Sequence, residues 1–565
     1  MHLPLLLIFA LLYSFFLPAQ YAPPLRGPLL VTGTFGELRS DHYHGGLDFR
    51  ASVGTPVRSV ADGYVSRVRV SGGGFGQAVY VDHPDGKRSV YGHLEVLAPE
   101  LKDTIRKLQY ARQSFEIDFR PDSLAYPVGQ GQVIGGVGNR GFSFGPHLHF
   151  EIREAATDAQ LNPLSLGFVI PDTRQPQLRN LRLYTWADGE PESTAVSYDL
   201  IRNELPDTLY VAAPRIGFGL KAYDRQNSMP NWNGIYRANL CVDSTEVFSF
   251  DFDRVPLEKT AYINALTDYR EWRRNSSWYY LLYTPVAEAG FWAETPPAAG
   301  DGILNLPAGV PKRVNITATD YAGNTSSVEV VVVHQPIKGP VAATSGKAAA
   351  APHQYFLPAG EASIIDTAGL RLELDELALY EDLRFRYVRL EDASEGYLSD
   401  VHQLHDPETA LHGRAVLRLR PRTVVPDSLR ERVYIGKCGS DGAPRTVGGE
   451  WLPDGSMQTN IGAFGDYALL LDREPPEVRI RDFRSDLRGR PGFSLFVKDA
   501  VGGELGYRGT VDGEWVLLEY DAKSGTLTHT FEDMRKIGGN TTHRFELEIT
   551  DGRGNRTTFT RDFRR

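Results

Sequence analysis

"GPHLHFEIR", residues 145–153, decides the fold of this chain, because it has the pattern of a β-strand and carries two histidines one residue apart. Successive side chains of a strand point to opposite faces, so His147 and His149 project from the same face. Leu148 and Phe150 then point from the other face into a hydrophobic core. The stretch predicts either a buried strand that happens to contain two imidazoles or one half of a metal site, for which the rest of the chain must supply the remaining ligands.

Further candidate ligands lie upstream, in "DHYHGGLDF" (residues 41–49), which contains His42, His44 and Asp48. Two glycines in this stretch disfavour a helix, so we expect His44 and Asp48 to meet through a turn that leads into a strand. Another histidine, His93, lies near the end of the β-type run "VYGHLEV".

A catalytic zinc ion typically has three nitrogen or oxygen ligands from the protein and keeps a fourth position for water, whose pKa it lowers to about 7. His44 and Asp48 would complete such a set with one histidine of the 145–153 strand. Two histidines would then remain for proton transfer and oxyanion stabilisation. A single histidine is most often structural, but four in these contexts, with an aspartate at fixed spacing, favour a metal site.

Three motifs in this order, "HGGLD" from His44, "YGHL" from Tyr91 and "GPHLHFE" from Gly145, resemble those of the lysostaphin-type zinc metallopeptidases, also called LytM-domain peptidoglycan hydrolases. The flanking segments "GTPVRSVADGYVSRV" and "YPVGQGQVIGGVGNRGFSFG" are similar to the family pattern as well. The resemblance covers roughly residues 30–155 and is specific, because it combines several motifs. It implies an open, largely antiparallel β-sheet with a groove that holds the metal.

Carried over position by position, the resemblance makes His44, Asp48 and His149 the zinc ligands. It makes His93 and His147 the catalytic pair, which would take the proton of the attacking water and stabilise the oxyanion of the tetrahedral intermediate. Some relatives lack these residues and only activate other hydrolases. This chain keeps all five, so we expect an active enzyme.

The chain also carries an insertion, at about residues 98–126, that the shortest family members lack. Its segment "PELKDTIRKLQYARQ" has Leu101, Ile105 and Leu108 at helical spacing, which predicts a short amphipathic helix. Similar insertions occur in relatives from Gram-negative bacteria of the Bacteroidetes type, which this chain resembles over most of its length. The insertion is either a lid or groove wall that sets substrate preference, or a packed surface helix.

The rest of the chain is predicted to be almost entirely β-structure, and two of its segments resemble each other. The segments that begin at Phe218 and Phe493 both consist of a strand, an acidic turn, a Gly-rich loop and a second strand. Each closes with a turn in which an Asp lies four residues before an Asn, and each is preceded by another Asp. These residues are Asp172, Asp320 and Asn324 for the first segment, and Asp472, Asp551 and Asn555 for the second. The pattern predicts two diverged immunoglobulin-like β-sandwiches, whose closing turns are either plain hairpins, the commoner structure, or calcium sites.

The predicted fold class is therefore mainly β, with an N-terminal antiparallel metallopeptidase domain that has a short helical insertion, followed by immunoglobulin-like β-sandwiches. The expected divisions are a signal peptide at 1–19, the peptidase domain at 20–165, a first sandwich at 172–335, a Pro/Ala/Gly/Ser-rich linker at 336–353, another β-rich domain at 354–472 and a second sandwich at 473–565.

Composition limits the function. The 565 residues carry a formal net charge of -10, which argues against a nucleic-acid binder, because phosphate contacts need clustered Lys and Arg. The apolar run 1–19 ends at Ala19 and predicts a cleaved secretory signal, and no other apolar stretch is long enough to cross a bilayer. Cys241 and Cys438 are too few for a disulfide framework or a structural zinc site, so we expect two small buried hydrophobic side chains.

Several weaker signals have simpler interpretations. "GGGFG" and the Gly-rich run 129–145 do not follow a strand and open a helix, as a nucleotide site would, so we expect turns. Glu151 is either a partner that orients a ligand histidine through its free ring N–H or a strand-edge carboxylate. His42 and His83 are expected at the surface or around the ligands.

The expected function is a periplasmic or secreted zinc endopeptidase that hydrolyses peptide bonds in peptidoglycan stem peptides or cross-links, with Zn²⁺ as cofactor. One alternative is a non-catalytic adaptor that binds the wall or activates an amidase. The other is a peptidase directed at proteins, such as a glycine-rich target. The C-terminal β-domains have no catalytic constellation of their own, and would bind the wall, protein partners or the enzyme's own groove.

Overall fold

The computed structural model describes residues 21–565, except residues 124, 169, 188–192, 228, 261, 285–299, 337–353, 392–393, 440–441 and 534–540. The predicted signal peptide at 1–19 lies outside the described residues, as does nearly all of the predicted linker. In the described part of the chain, no helix has both the length and the hydrophobicity needed to span a membrane.

The N-terminal part is built around one large sheet in which all the strand pairs are antiparallel. Its elements are β1 (Val31–Gly33), β2 (Leu47–Arg50), β3 (Pro56–Arg58), β4 (Gly63–Val70), β5 (Gln77–Asp82), β6 (Lys87–Gly92), β7 (Leu94–Leu97), α1 (Pro99–Arg112), β8 (Ile117–Phe119), β9 (Pro127–Val128), β10 (Val133–Val137), β11 (His147–Glu154) and β12 (Gln160–Leu161). The main sheet has the order β1-β2-β11-β6-β5-β4-β8, and β3, β10 and β7 form a smaller sheet. The strand at 145–153 thus lies in the middle of the main sheet, as β11, between β2 and β6.

The apolar side chains of β11 form the centre of the core. Leu148, Phe150 and Ile152 are fully buried and pack with Phe49 of β2 and Tyr91 of β6. This confirms the predicted alternation, because the histidines project from the other face of the same strand. The burial of one face fixes the register, since a slip of one residue would turn the core side chains to the opposite face.

The insertion contains the predicted helix, α1. Pro99 at its first turn has no N–H to lose there, and the helix ends at Gln113, which has a left-handed backbone with φ 48°. Leu101 and Ile105 are buried against the core, as predicted. Leu108 is only half-buried, and Gln109 takes the buried position beside it because its Nε2 donates a hydrogen bond to the Phe115 carbonyl (2.8 Å).

The first sandwich follows at Gln177. Its elements are β13 (Gln177–Trp186), β14 (Thr194–Asp199), β15 (Thr208–Val211), β16 (Arg215–Tyr223), β17 (Arg237–Val242), β18 (Thr245–Asp251), β19 (Arg254–Val255), α2 (Tyr269–Asn275), β20 (Tyr280–Leu281), β21 (Leu304–Asn305), β22 (Lys312–Thr319) and β23 (Thr325–His334). One sheet has the order β14-β13-β16-β20, with β21 also on β16, and the other has the order β15-β23-β22-β17-β18. The apolar inner faces of the two sheets pack into one core.

A third domain contains two further five-stranded sheets. Its elements are β24 (Tyr355–Leu357), β25 (Ser363–Thr367), β26 (Leu370–Leu374), β27 (Leu383–Phe385), β28 (Tyr387–Leu390), β29 (Val401–Leu404), β30 (Ala415–Leu419), α3 (Asp427–Arg430), β31 (Val433–Gly439), β32 (Gly442–Gly448), β33 (Glu450–Trp451), β34 (Met457–Ile461) and β35 (Gly465–Leu471). The orders are β25-β26-β30-β34-β33 and β28-β29-β35-β31-β32, around a separate core.

The second sandwich closes the chain. Its elements are β36 (Glu477–Asp482), β37 (Gly492–Lys498), β38 (Gly506–Val511), β39 (Glu514–Trp515), β40 (Glu519–Asp521), β41 (Thr526–Thr530), β42 (Thr542–Thr550) and β43 (Arg556–Arg564). The two sheets are β36-β37-β41-β40 and β39-β38-β42-β43. In both sandwiches the Asp-to-Asn segment joins the last two strands as a hairpin turn, as predicted.

The cysteines depart from expectation. Cys241 and Cys438 lie in β17 and β31 of different domains, and no disulfide joins them. Both are half-buried rather than fully buried. The expectation of two small buried side chains was therefore wrong, because each cysteine lies near the end of its strand, where the burial of the side chains decreases.

The second sandwich packs against the N-terminal domain. Leu517 is fully buried in the N-terminal core, and Trp515 packs edge-on against Tyr110 of α1 (ring centroids 5.1 Å apart). One side of α1 therefore contacts this sandwich, while its apolar side packs on the peptidase core. These contacts correspond to the packed-helix interpretation of the insertion.

Candidate active site

Strand register brings the site together. His149 in β11 lies directly opposite Asp48 in β2 on one side and Gly92 in β6 on the other. Directly opposed residues of an antiparallel pair point to the same face, so the side chains of His149 and Asp48 meet. His44 approaches through the turn before β2, and His93 follows Gly92 at the end of β6.

Three potential metal-ligating atoms converge at this point. His149 Nδ1 lies 2.9 Å from Asp48 Oδ1, and His44 Nε2 lies 3.1 Å from both of these atoms. The three residues are nearly buried, with His44 and His149 each 5% exposed. They form a group that could hold a metal ion.

The outer nitrogen of each imidazole fixes which inner nitrogen is free to bind a cation. His44 Nδ1 donates to the Thr34 carbonyl (2.8 Å), and His149 Nε2 donates to the Glu151 carboxylate (2.9 Å). Carbonyl and carboxylate oxygens only accept hydrogen bonds, so in the neutral imidazoles that bind metals the lone pairs of His44 Nε2 and His149 Nδ1 face each other and Asp48 Oδ1. Three electron-rich atoms facing one another fit a cation between them. Their spacing is close to the separation of about 3.3 Å that tetrahedral zinc imposes on ligands at normal bond lengths.

The charges around the ligands favour positive charge at the same point. Although burial lowers the pKa of His149, hydrogen bonds to Asp48 and Glu151 raise it to about 9. Burial opposes the ionisation of Asp48, but the neighbouring His44, His147 and His149 hold its pKa well below the usual range. The site therefore stabilises a positive charge beside an ionised carboxylate.

A surrounding layer of residues holds the ligands in place. Glu151 is fully buried, and it pairs with Arg153 (2.6 Å) as well as with His149. Burial raises the pKa of Glu151, but Arg153 and His149 outweigh it and bring the pKa to about 2. Arg39 lies 3.3 Å from the second oxygen of Asp48. Of the two interpretations of Glu151, the structure thus corresponds to the orienting partner.

The two remaining histidines lie beside this group. His93 Nδ1 donates to the Arg140 carbonyl (2.7 Å), and His147 Nδ1 donates to the Gly145 carbonyl (2.8 Å). Their ring centroids are 4.8 Å apart, and His147 Nε2 lies 3.4 Å from Asp48 Oδ1. Burial, together with His149 and His147, lowers the pKa of His93 to about 3.

His93 also has an unusual backbone. Its φ of 60° lies in the left-handed region, which a non-glycine residue adopts only when the surrounding structure imposes it. Such conformations concentrate at functional sites. Here the conformation turns the chain at the end of β6 and lets the imidazole face the ligands.

The structure thus brings together all five predicted site residues and separates the other two histidines from them. His42 is exposed and pairs with Asp41 (2.7 Å). His83 is buried, and hydrogen bonds to the Asp62 carbonyl and the Ser89 hydroxyl hold it in another part of the sheet.

Sequence reasoning missed several residues that contact the site. Phe75, in the Gly-rich turn "GGGFG", stacks on the ring of His149 (centroids 4.8 Å apart, planes 28° apart). The Thr34 carbonyl accepts a hydrogen bond from His44, and the Arg39 guanidinium pairs with Asp48. The one signal that could have found Phe75 is an aromatic residue isolated in a glycine-rich loop; nothing in the sequence marks Thr34.

The second sandwich contacts the loop that orients the two remaining histidines. Arg140 forms an ion pair with Glu519 (2.8 Å), and Lys523 donates hydrogen bonds to the carbonyls of Asn139 and Ser143. The Ser143 hydroxyl in turn lies 3.2 Å from His147 Nδ1. The loop over residues 139–145 therefore contacts the second sandwich on one side and His93 and His147 on the other.

Comparison with known proteins identifies two domain types. Residues 42–110 match the model described as peptidase family M23, and residues 354–472 match the model described as a Zu5-like domain. The first match includes His44, Asp48 and His93.

Among curated relatives, the chain is 33% identical over 138 residues to the DD-carboxypeptidase/endopeptidase Mpg of Neisseria meningitidis. The aligned residues make up 24% of this chain and 26% of that protein. It is 30% identical over 153 residues to the cell division protein DipM of Caulobacter vibrioides, and the aligned residues make up 27% of this chain and 21% of that protein. The chain thus spans only about a quarter of the length of these relatives.

Among solved structures, the catalytic domain of the prophage-encoded M23 protein EnpA of Enterococcus faecalis is similar to this chain with 28% sequence identity and a TM-score of 0.20. The match covers 26% of this chain and 98% of that domain.

Proposed function

Because the chain contains a domain of peptidase family M23, we propose that it is a zinc-dependent endopeptidase that hydrolyses peptide bonds in peptidoglycan stem peptides or cross-links. The observation that carries this proposal is the convergence of His44 Nε2, Asp48 Oδ1 and His149 Nδ1 within 3.1 Å of one another. These three atoms would hold the zinc ion, with Glu151 and Thr34 orienting the imidazoles. Zinc held there would activate a water molecule and polarise the scissile carbonyl.

Proton transfer falls to His147 in this mechanism. Its Nδ1–H is committed to the Gly145 carbonyl, so Nε2 is the atom that accepts a proton. Asp48 lies 3.4 Å from Nε2 and stabilises the imidazolium that forms. The same proton can then pass to the leaving amine, which is the usual role of a general acid and base.

His93 would act as a neutral imidazole. Its pKa of about 3, set mainly by burial, keeps it uncharged at neutral pH, and its Nδ1–H is committed to the Arg140 carbonyl. Nε2 is left to accept a hydrogen bond from the attacking water. This would orient a water lone pair toward the substrate carbonyl.

The peptidoglycan substrate is the finer part of the proposal. It is supported by the similarity to a DD-carboxypeptidase/endopeptidase, since peptidoglycan cross-links contain D-amino acids. The hydrophobic N-terminal run at 1–19 supports a location in the cell envelope, periplasmic or secreted. Two exposed aromatic side chains, Phe142 and Phe144, on the loop before His147 offer apolar contacts to a bound peptide.

The test is cleavage of purified cross-linked muropeptides by the full-length protein, with glycine-rich peptides assayed in parallel. We expect the wild type to cleave muropeptides and His147→Ala to lose about 10²–10⁴-fold in turnover while retaining zinc. His42→Ala, an exposed histidine outside the site, serves as the control and should retain activity.

Two results would contradict the proposal. Cleavage of glycine-rich peptides but not of muropeptides would favour a protein-directed peptidase. A zinc-loaded wild type that cleaves neither substrate would favour a non-catalytic adaptor of the wall or of an amidase.

A further inference from the structure

Each sandwich contains a cluster of three aspartates. One carboxylate oxygen from each aspartate lies within 4.8 Å of the other two. The clusters are Asp172, Asp224 and Asp320 in the first sandwich, and Asp472, Asp499 and Asp551 in the second.

The clusters occupy equivalent places in the two domains. The first aspartate lies in the connection from the preceding domain, ahead of β13 or β36, and the second directly follows β16 or β37. The third opens the hairpin turn between the last two strands, where the Asn four residues later donates two hydrogen bonds to its carboxylate. Two sequences that have diverged elsewhere thus keep the same three acidic positions.

Several of these carboxylate oxygens are buried with nothing to bind. Asp224 is 4% exposed and its Oδ1 has no hydrogen-bond partner in the described part of the chain. Asp472 is 3% exposed, and its Oδ2 also has no hydrogen-bond partner among the described residues. Oδ1 of Asp499 is likewise buried without a partner there. A buried carboxylate oxygen without a donor is unfavourable, and the carboxylates beside it add repulsion.

Basic side chains do not neutralise the clusters. Among the described residues, none forms an ion pair within 4.0 Å with any of the six carboxylates. Arg174 acts on Asp224, and Arg553 acts on Asp472 and Asp551, only through longer-range electrostatics. Arg553 instead donates a hydrogen bond from its guanidinium to the Val433 carbonyl (3.2 Å) and lies over the ring of Tyr434.

We propose that each cluster binds one Ca²⁺ ion, so that the chain holds two calcium ions outside the peptidase site. Calcium takes six to eight oxygen ligands in flexible geometry, and carboxylates are its preferred protein donors. Magnesium is a poorer fit, because it demands near-ideal octahedral geometry and gives up its waters reluctantly. The first cluster also borders a cavity of about 400 Å³, which offers room for the waters that would complete the coordination.

The position of the first aspartate gives calcium a structural role. Asp172 and Asp472 lie in the connections that enter the sandwiches, whereas the other two aspartates of each cluster belong to the sandwich itself. A bound ion would therefore tie each connection to its domain. We expect calcium to stiffen two junctions, the one between the peptidase domain and the first sandwich and the one between the third domain and the second sandwich. It should therefore raise the thermal stability of the chain.

The experiment is isothermal titration of the full-length, chelator-treated protein with CaCl₂. We expect two Ca²⁺ per wild-type chain, one for Asp224→Asn, one for Asp499→Asn and none for the double variant. Asp243→Asn and Asp486→Asn are matched controls on the surfaces of the two sandwiches, where the carboxylates already pair with Lys312 and Arg488. Both controls should keep two ions.

Thermal unfolding of the wild type, with and without CaCl₂, keeps the proposal testable if a variant fails to fold. Calcium should raise the unfolding temperature by a few degrees, and MgCl₂ at the same concentration should have a smaller effect. Absence of calcium binding by the wild type up to about 10 mM, above the range of weak extracellular calcium modules, would overturn the proposal. So would a stoichiometry that neither aspartate variant changes.

Discussion

At the scale of single residues, the site depends on how each imidazole is fixed from behind. His44 and His149 each use one ring nitrogen on an acceptor in the protein, which leaves the other for the cation. The acceptor for His149 is Glu151, a fully buried carboxylate that also pairs with Arg153. The orientation of the metal ligand therefore depends on a residue that would not contact the metal.

Glu151→Gln tests that dependence. The amide oxygen can still accept from His149 Nε2, but the negative charge that makes the imidazole a better ligand is lost. We expect zinc affinity to fall about 10–100-fold, measured by competition with a chromogenic chelator. The control is Glu154→Gln on the same strand, which pairs with Arg254 at the surface and should leave zinc affinity unchanged. Equal affinities in the two variants would contradict the role given to Glu151.

Gly33 is a second residue whose identity the site requires. A Cβ atom at this position would lie 2.6 Å from Asp48 Oδ2 and 3.0 Å from Arg39 Nη2. Gly33→Ala should therefore displace the Asp48 carboxylate and weaken zinc binding several-fold while the domain stays folded, as circular dichroism and zinc titration would measure. Unchanged zinc affinity in a folded variant would show that Asp48 can shift without cost.

At the scale of elements, alternation along one strand was enough to predict which side chains of β11 form the core and which face the site. The motifs "HGGLD" and "YGHL" predicted that His44, Asp48 and His93 lie at the same site. An aromatic residue isolated in a glycine-rich loop could have pointed to Phe75, but the contacts of Thr34 and Arg39 could not be predicted, because they depend on how loops pack against the sheet, and local patterns carry no information about that.

The helix α1 gives a matched pair for testing which of its faces is structural. Ile105 is 3% exposed and packs in the core, whereas Leu108 is only half-buried. Ile105→Ala should cost about 2–4 kcal/mol in the free energy of unfolding of the peptidase domain, and Leu108→Ala clearly less. Differential scanning calorimetry of the two variants is the measurement, and a larger loss for Leu108→Ala would contradict the packing described.

His529 in β41 makes the second sandwich sensitive to acid. The side chain is fully buried, its Nδ1 donates to the Leu517 carbonyl (2.8 Å), and burial lowers its pKa to about 4. The folded-state pKa lies below the unfolded value of about 6.5, so the stabilising effect is complete above pH 6.5 and is lost as the pH falls toward 4. The full loss is about 3 kcal/mol.

The measurement is the pH dependence of unfolding for the wild type and His529→Asn, in which the amide can replace Nδ1 as the donor. We expect the variant to lose less stability than the wild type between pH 6.5 and 4. His42→Asn, at an exposed histidine, should follow the wild type. Parallel curves for the wild type and His529→Asn would contradict the burial of a neutral imidazole.

At the scale of the whole molecule, the chain folds back on itself so that its last domain supports its first. Leu517 and Trp515 pack on the peptidase domain, and Lys523 and Glu519 contact the loop 139–145 that orients His93 and His147. The sequence predicted the sandwiches and left binding to the enzyme's own groove as one option for them. It did not predict the residues of this contact, because they lie nearly four hundred positions apart and resemble ordinary surface charges.

Lys523→Met tests whether this support matters for catalysis. The change removes the hydrogen bonds to the Asn139 and Ser143 carbonyls, so we expect the loop to loosen and kcat to fall several-fold while zinc content stays the same. Lys498→Met, an exposed lysine elsewhere on the same sandwich, is the control and should retain the wild-type kcat. A rise in kcat for Lys523→Met would instead indicate that the second sandwich restrains the enzyme.

The central claim is that His44, Asp48 and His149 hold a zinc ion, and metal content tests it most directly. The measurement is zinc per chain by inductively coupled plasma mass spectrometry in the wild type, His149→Ala, Asp48→Asn, His147→Ala and His42→Ala. We predict one zinc in the wild type, His147→Ala and His42→Ala, and almost none in the other two. A zinc-free wild type, or full zinc content in His149→Ala, would contradict the claim.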